Sequence, residues 1–403
     1  MDLLIRNANI VDLSHNFYGD VYIREGKIEE VGSNIEDKGC KVIDAKGMTV
    51  MPAFVDMHAH FREPGFTYKE DIYTGSRTAA KGGYTTVNLM ANTNPIVSSK
   101  EILDYVYKKN EEVGLIDLHQ CVSITKNFDG ATIAHLDQFS EEVKAISDDG
   151  KGVSDSRVMM EAMKKAKEMD WLVISHAESH EFSDIDMRLA ENMMTWRDVS
   201  LAKFTGSKLH MAHVSTKEAM KYVIEAKCDG AKVSCEVTPH HIALSDEVSN
   251  YRVNPPIRDK EDVNFLIKAI AHGDVDVIGT DHAPHSQEDK EKGAPGLIGL
   301  ETAFPICYTK LVKEKYINLN KLSEMMSSKP AELLKLNKGK ICPGFEGDLV
   351  ILNLGESFNV SEETILSKSK NTPFLGWELY GIVDKTIKAG KVIFDRQEAA
   401  LNE

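Results

Sequence analysis

The chain lacks any apolar run of membrane-spanning length, any C-x-x-C pair and any excess of positive charge, and each absence removes a class of function. A membrane-spanning helix needs about 20 predominantly apolar residues, and none of the apolar runs here is that long. The six cysteines, Cys40, Cys121, Cys228, Cys235, Cys307 and Cys342, are scattered, most of them in apolar strand- or helix-like surroundings. That usage fits a reduced compartment better than a disulfide framework. The opening Met1-Asp2-Leu3-Leu4-Ile5-Arg6 is too short and too charged for a signal peptide, so the cytoplasm is the expected location. A formal net charge of -15 argues against nucleic acid or an anionic membrane as the main partner, because either prefers a basic face.

What is present is a chain of 403 residues with 42% hydrophobic content, enough for one large domain and a smaller one. The first 48 residues read as short strands at 3–10, 21–24 and 27–31, with Glu25-Gly26 as a hairpin turn. Similar strand texture returns at 347–352 and 386–394. The two ends, 1–48 and 340–403, are expected to pair into one small β-sandwich domain around a central unit, 49–339.

The centre alternates strands with helices. Strands are expected from the apolar run at 48–54 into Val55, then at 85–90, 116–124, 143–148, 171–175, 208–212, 232–237 and 275–280. Amphipathic helices are expected between them, among others at 98–110, 156–168, 216–226 and 260–272, with Ser98, Ser156 and Thr216 as N-caps. Eight β-then-α units over ~250 residues predict an α/β fold, the (β/α)8 TIM-type barrel, with Val55 and Val87 in its interior and its active site at the C-terminal strand ends. A doubly wound sheet is the alternative, but no G-x-G-x-x-G follows the first strand.

The first strand runs into Val55-Asp56-Met57-His58-Ala59-His60-Phe61-Arg62-Glu63-Pro64-Gly65. Alternate residues of a strand share a face, so His58 and His60 can aim both imidazoles at one point. A lone H-x-H is as easily a surface coincidence as half a metal site, and a lone strand-end histidine is more often hydrogen-bonded than ligating. The other strand ends change that balance. They carry Asp148-Asp149-Gly150, Ser175-His176-Ala177-Glu178, Ala212-His213-Val214-Ser215 and Thr280-Asp281-His282-Ala283-Pro284-His285. Four imidazoles (His58, His60, His176, His213) and two carboxylates (Asp149, Asp281) at one barrel face suit zinc, as one ion or a bridged pair. His15, His119, His135, His180, His210 and His272 fall elsewhere and are read as non-ligands, while His240 and His241 are either structural or support the ligands.

Taken together, Asp56 to Gly65, Asn92-Thr93-Asn94-Pro95, Asp148-Asp149-Gly150, His213-Val214-Ser215-Thr216, Thr280 to His285 and Lys370-Asn371-Thr372-Pro373-Phe374 resemble the type I dihydroorotases of the amidohydrolase superfamily. The resemblance runs over nearly the whole chain. It implies reversible cyclisation of N-carbamoyl-L-aspartate to L-dihydroorotate in pyrimidine synthesis, with two zinc ions per subunit. It gives His58, His60 and Asp281 to one metal, His176 and His213 to a second, and Asp149 to the bridge. Arg62, Asn92 and His285 would face the substrate carboxylate, with Asn254 near the ring. Four features depart from the family pattern: Ala53 for a usual Gly, Ala91 for a usual Pro, Pro295 where an aromatic is usual, and a shorter segment between His176 and His213.

Opening a cyclic amide at neutral pH needs a nucleophile stronger than water, which a metal-activated hydroxide provides. Asp281 would accept its proton as general base and return it to the leaving nitrogen as general acid. Arg62 suits a carboxylate because a guanidinium offers a planar fork of donors. A hydantoinase or allantoinase would share the barrel but is expected to bridge its metals with a carboxylated lysine, and Lys144 and Lys151 lie off that position. A non-catalytic assembly partner is the other alternative, and the intact ligand set weighs against it. The resemblance leaves open a homo-oligomer or an association with aspartate transcarbamoylase.

Overall fold

The computed structural model describes residues 2–401. Eight parallel strands form its centre: β1 (Phe54–Ala59), β2 (Tyr84–Leu89), β3 (Asp117–Gln120), β4 (Ala145–Ile146), β5 (Leu172–Ser175), β6 (Lys208–Met211), β7 (Val233–Val237) and β8 (Val277–Ile278). They pair in sequence order as β1-β2-β3 and β4-β5-β6-β7-β8. A parallel bridge between Val122 and Ile146 joins β3 to β4. Another between Ala59 and His282, with His60 N donating to His282 O at 2.9 Å, closes β8 onto β1. The sheet is therefore a closed (β/α)8 barrel.

Closure gives every strand an inner and an outer side. Val55, Met57, Ala145, Leu172, Ile174 and Val277 fill the inside, and Leu334 joins the same cluster. Val87 belongs instead to the layer between strands and helices, with Leu103 and Val106. The reason is local. On β2 it is Asn88 that turns inward, donating to Met57 O at 3.0 Å.

The helices outside follow their apolar spacing. Ser156–Glu168 buries Met159, Ala162, Met163 and Ala166, the i, i+3, i+4, i+7 stripe of one helix face. Two expected caps move by one residue. Ser99, not Ser98, caps Lys100–Val113, and Asp155, not Ser156, caps Ser156–Glu168. In each pair of adjacent polar residues, the chosen one has the extended backbone that lets its oxygen reach the N–H groups of the first turn. Thr216 caps Lys217–Cys228 as expected.

The two chain ends share one mixed sheet, in the order Lys391–Asp395, Glu378–Lys388, Leu349–Asn359, Thr49–Pro52, Leu3–Val11, Asn16–Arg24 and Lys27–Gly32, with Lys41–Asp44 also on Leu3–Val11. The apolar run at 48–54 thus serves two structures, splitting at Ala53 between this sheet and β1. The texture at 386–394 is likewise two strands, turning at Ala389 (φ 48°) and Gly390 (φ 77°). Lys338 ties sheet to barrel. Its buried ammonium lies 2.7 Å from Asp348 and 3.1 Å from Glu346, and also pairs with Asp117 at the start of β3. That acidic trio is held together by the one lysine.

Candidate active site

Each barrel strand leaves its last polar residues at one rim, and there the expected ligands meet. His60 Nε2 lies 3.1 Å from Asp281 Oδ1 and 3.5 Å from Asp149 Oδ2. His58 Nε2 lies 3.3 Å from Asp149 Oδ1, and His176 Nδ1 lies 3.4 Å from the same oxygen. His213 Nε2 is 2.9 Å from His176 Nδ1 and 3.8 Å from Asp149 Oδ1. These donors form two groups, His58-His60-Asp149 and His176-His213-Asp149, each compact enough for one ion, with Asp149 common to both. All six side chains, Asp281 included, are buried.

Two buried atoms at the centre, His58 Nε2 and Asp149 Oδ1, have no hydrogen-bond partner. Buried polar atoms are almost always paired, so two facing atoms left without a hydrogen bond are an arrangement that a cation between them would satisfy. The donor set of imidazole and carboxylate fits a borderline divalent metal such as zinc.

Residues without a ligand role fix how the imidazoles point. His58 Nδ1 is 2.6 Å from Glu236 Oε1, His60 Nδ1 is 2.8 Å from Asn92 Oδ1, and His176 Nε2 is 3.0 Å from Glu178 Oε2. A ring nitrogen that donates to an acceptor leaves the other with its lone pair free, so each contact turns the remaining nitrogen to the cluster. Glu236 also accepts from the His213 backbone at 3.1 Å and contacts His210 Nε2 at 3.2 Å. Gly279 is required beside it, because a Cβ there would come within 2.5 Å of the Glu236 carboxylate. Sequence reading missed Glu236 and Glu178 as orienting groups. The signal for Glu178 was its place two residues after His176, and Glu236 had none.

The electrostatics favour positive charge at the centre. Burial pulls the His58 imidazole down, but Asp149, Glu236 and Asp281 outweigh it and hold it well above its usual value. His176 is raised to about 9 against its own burial, chiefly by Asp149 and Glu178. Burial raises Asp149 and Asp281, yet the surrounding histidines leave both below the usual carboxylate range. Backbone strain collects here as well. Arg62 (φ 61°), His213 (φ 32°) and Asp281 (φ 46°) all adopt left-handed conformations that non-glycine residues avoid.

Beside the cluster, Arg62 Nη2 is 3.2 Å from His285 Nε2, and Arg62 Nε donates to Pro284 O at 3.2 Å. Lys69 Nζ approaches the other ring nitrogen of His285 at 3.2 Å. Burial, with Arg62, Lys69 and Lys290 nearby, pushes His285 down to about 3, so the ring is neutral. Asn371 anchors this loop, accepting from His285 N at 3.0 Å and donating to Ala283 O at 3.2 Å. Asn92 donates to Asp149 Oδ2 at 3.4 Å, and Asn254 donates to Glu178 Oε2 at 2.8 Å. Asn254, Glu178, Met187, Tyr251 and Pro295 line a cavity of about 710 Å³ at the mouth. Lys69 was not expected, since an isolated loop lysine carries no spacing signal. Of the two ambiguous histidines, His241 contacts Thr238 Oγ1 at 2.8 Å and Pro255 O at 3.0 Å, as a structural residue would.

A sequence model of the amidohydrolase family matches residues 49–393. The chain is 57% identical over 398 residues to a dihydroorotase of Clostridium botulinum (strain Eklund 17B / Type B), covering 98% of this chain and 100% of that protein. It is 40% identical over 420 residues to a dihydroorotase of Elusimicrobium minutum (strain Pei191), covering 97% of each. Among solved structures, an L-hydantoinase (dihydropyrimidinase) from Arthrobacter aurescens superposes with a TM-score of 0.88 at 25% identity, over 98% of this chain and 96% of that one. A D-hydantoinase gives 0.87 at 25% identity, over 98% and 95%.

Proposed function

This chain belongs to the amidohydrolase family, and from that premise we propose that it is a dihydroorotase, interconverting N-carbamoyl-L-aspartate and L-dihydroorotate. The observation that carries this choice of substrate is Arg62. Among the described residues no carboxylate lies within ion-pairing distance of its guanidinium, which contacts only a backbone oxygen and the neutral His285. A largely desolvated cation without a counterion calls for an anionic ligand, and the dihydroorotate ring carries a carboxylate. Lys69 lies in the same corner, where it also pairs with Asp289 at 3.3 Å, and Asn371 holds the loop that presents His285.

We assign His58, His60 and Asp281 to one zinc ion, His176 and His213 to a second, and Asp149 to both. Metal held there supplies Lewis acidity and brings the ionisation of water near neutrality. Asp281, ionised at neutral pH, takes the proton of the attacking water and delivers it to the ring nitrogen as the amide opens. Glu236, Asn92 and Glu178 keep three of the four imidazoles turned to the centre, and Arg62 with Lys69 fixes the substrate by its carboxylate. The pocket admits the substrate past Asn254.

The hydantoinase reading draws on fold similarity but would need a lysine at the bridge. Asp149 stands there, and Lys151 is turned away, donating to Phe128 O at 2.7 Å. We further propose that 1–48 and 340–403 act as one unit beside the 49–339 barrel, sharing the strand Thr49–Pro52, and that the enzyme works in the reducing cytoplasm, where free cysteines persist. Metal analysis of protein purified without added zinc, with a dihydroorotate hydrolysis assay on the same sample, tests the proposal. Metal-loaded protein that leaves dihydroorotate untouched would refute it.

A further inference from the structure

Among the described residues, the two ring nitrogens of His285 have only cations as partners: Arg62 Nη2 lies 3.2 Å from Nε2, and Lys69 Nζ lies 3.2 Å from Nδ1. Guanidinium and ammonium groups donate hydrogen bonds and accept none, whereas a neutral imidazole offers one donor and one acceptor. Both contacts cannot be hydrogen bonds at once, so at one of the nitrogens an N–H faces an N–H. Protonating the ring would make that true of both, and burial, with Arg62 and Lys69 nearby, keeps it neutral. Nor is the ring free to turn aside. Its backbone N–H is held by Asn371 at 3.0 Å, and its Cδ2 edge packs on Gly296, where a Cβ would come within 3.2 Å.

Which nitrogen carries the proton depends on which cation is the more firmly placed, and that is Lys69. Its ammonium also pairs with Asp289 Oδ2 at 3.3 Å and lies over the rings of Phe66 and Tyr68, at 5.4 and 5.5 Å from their centres. Asp289 is fixed in turn by Ser286, whose hydroxyl donates to it at 2.8 Å. Burial and Arg62 push the Lys69 pKa down, and Asp289 opposes them. An ammonium is a compact, strongly hydrated charge that needs acceptors when it is taken from water, whereas a guanidinium is delocalised and more weakly hydrated. Arg62 has Pro284 O for its Nε, at 3.2 Å, and keeps Nη2 for a ligand. The lone pair of His285 therefore belongs on Nδ1, facing Lys69, and the proton on Nε2, facing Arg62.

We propose that Lys69 is a positioning residue that sets the tautomer of His285: it donates to Nδ1, keeps the imidazole proton on Nε2, and so makes the ring a second donor, beside Arg62, for an anionic oxygen of the substrate. The opposed N–H groups of Arg62 and His285 are then what a carboxylate relieves. An oxygen about 2.9 Å from each nitrogen accepts from both, and a pair of nitrogens 3.2 Å apart is spaced for it. A ring without a carboxylate leaves both donors unpaired, which turns the corner into a filter for acids. That carboxylate comes from the dihydroorotate reading above, whereas the tautomer rests on the contacts of this chain alone.

Nitrogen NMR of the full, zinc-loaded chain, labelled at its imidazole nitrogens and with the His285 signals identified by their loss in His285→Phe, tests this without substrate. The wild type should show a protonated Nε2 and an unprotonated Nδ1. Lys69→Met, which keeps the apolar stem and removes the donor, should abolish that preference, and Lys69→Arg should retain it. In the hydrolysis of dihydroorotate, Lys69→Met should raise KM by about tenfold with a smaller fall in kcat, because a hydrogen bond to the bound carboxylate is weakened. The same change made in His285→Phe should cost less than about twofold, since a residue that acts through the ring has nothing left to act on. The proposal is overturned by a proton on Nδ1 in the wild type, by an unchanged tautomer in Lys69→Met, or by an undiminished cost in the His285→Phe background, which would make Lys69 a direct charge on the substrate. A wild type that has the expected tautomer and leaves dihydroorotate untouched would support the placement of the proton and refute the choice of substrate.

Discussion

His58 Nδ1 lies 2.6 Å from the Glu236 carboxylate, and both side chains are fully buried, 178 residues apart in sequence. This contact leaves the opposite ring nitrogen, Nε2, aimed at Asp149 at 3.3 Å and Asp281 at 3.5 Å. One carboxylate on β7 therefore decides which nitrogen of a β1 histidine is offered to a metal.

Glu236→Gln preserves an oxygen at the right distance and removes the charge. Metal affinity should fall by about 10- to 100-fold, with the barrel still folded, because the group orients a ligand without being one. Metal retention against a chelator series measures this, and wild-type retention would assign Glu236 to packing alone.

His58→Ala or His60→Ala should abolish both bound metal and activity, with circular dichroism unchanged. The two imidazoles leave β1 on one face, and the interior cluster around Val55 and Met57 contains neither of them. Full metal content in either variant would remove these residues from the site.

Asp149 and Asp281 should separate by readout. Asp149→Ala should lower metal occupancy as well as rate, since this carboxylate stands between both histidine pairs. Asp281→Asn keeps an oxygen toward the metal and removes the basicity. Metal should be largely retained while turnover falls by on the order of 10²–10⁴. If the acidic limb of the pH profile reports this carboxylate, it should flatten in any residual activity of the variant. Near-normal turnover of metal-loaded Asp281→Asn would shift the proton transfer to another residue.

The barrel was legible because its eight strands are short apolar runs ending in polar residues, and the six candidate ligands were legible because they follow those runs directly. Long-range groups were not. Glu236 sits within β7 in a stretch that carries no local mark, and only the folded contact with His58 gives it a role. Lys69 and Asn371 reach His285 from 216 and 86 residues away. Ser98 and Ser156 were misread as caps because adjacent polar residues are equivalent on paper, and backbone direction alone separates them. Val87 was misplaced for a similar reason, since in a strand buried on both sides an apolar residue does not announce its face.

The most direct measurement is the ratio of hydrolysis rates for dihydroorotate and dihydrouracil, which share a ring and differ in the carboxylate that Arg62 is proposed to bind. The metal-loaded chain should favour dihydroorotate by on the order of 10²–10⁴, because without that carboxylate the guanidinium stays unpaired. Equal rates, or faster opening of dihydrouracil, would contradict the assignment and favour a hydantoinase.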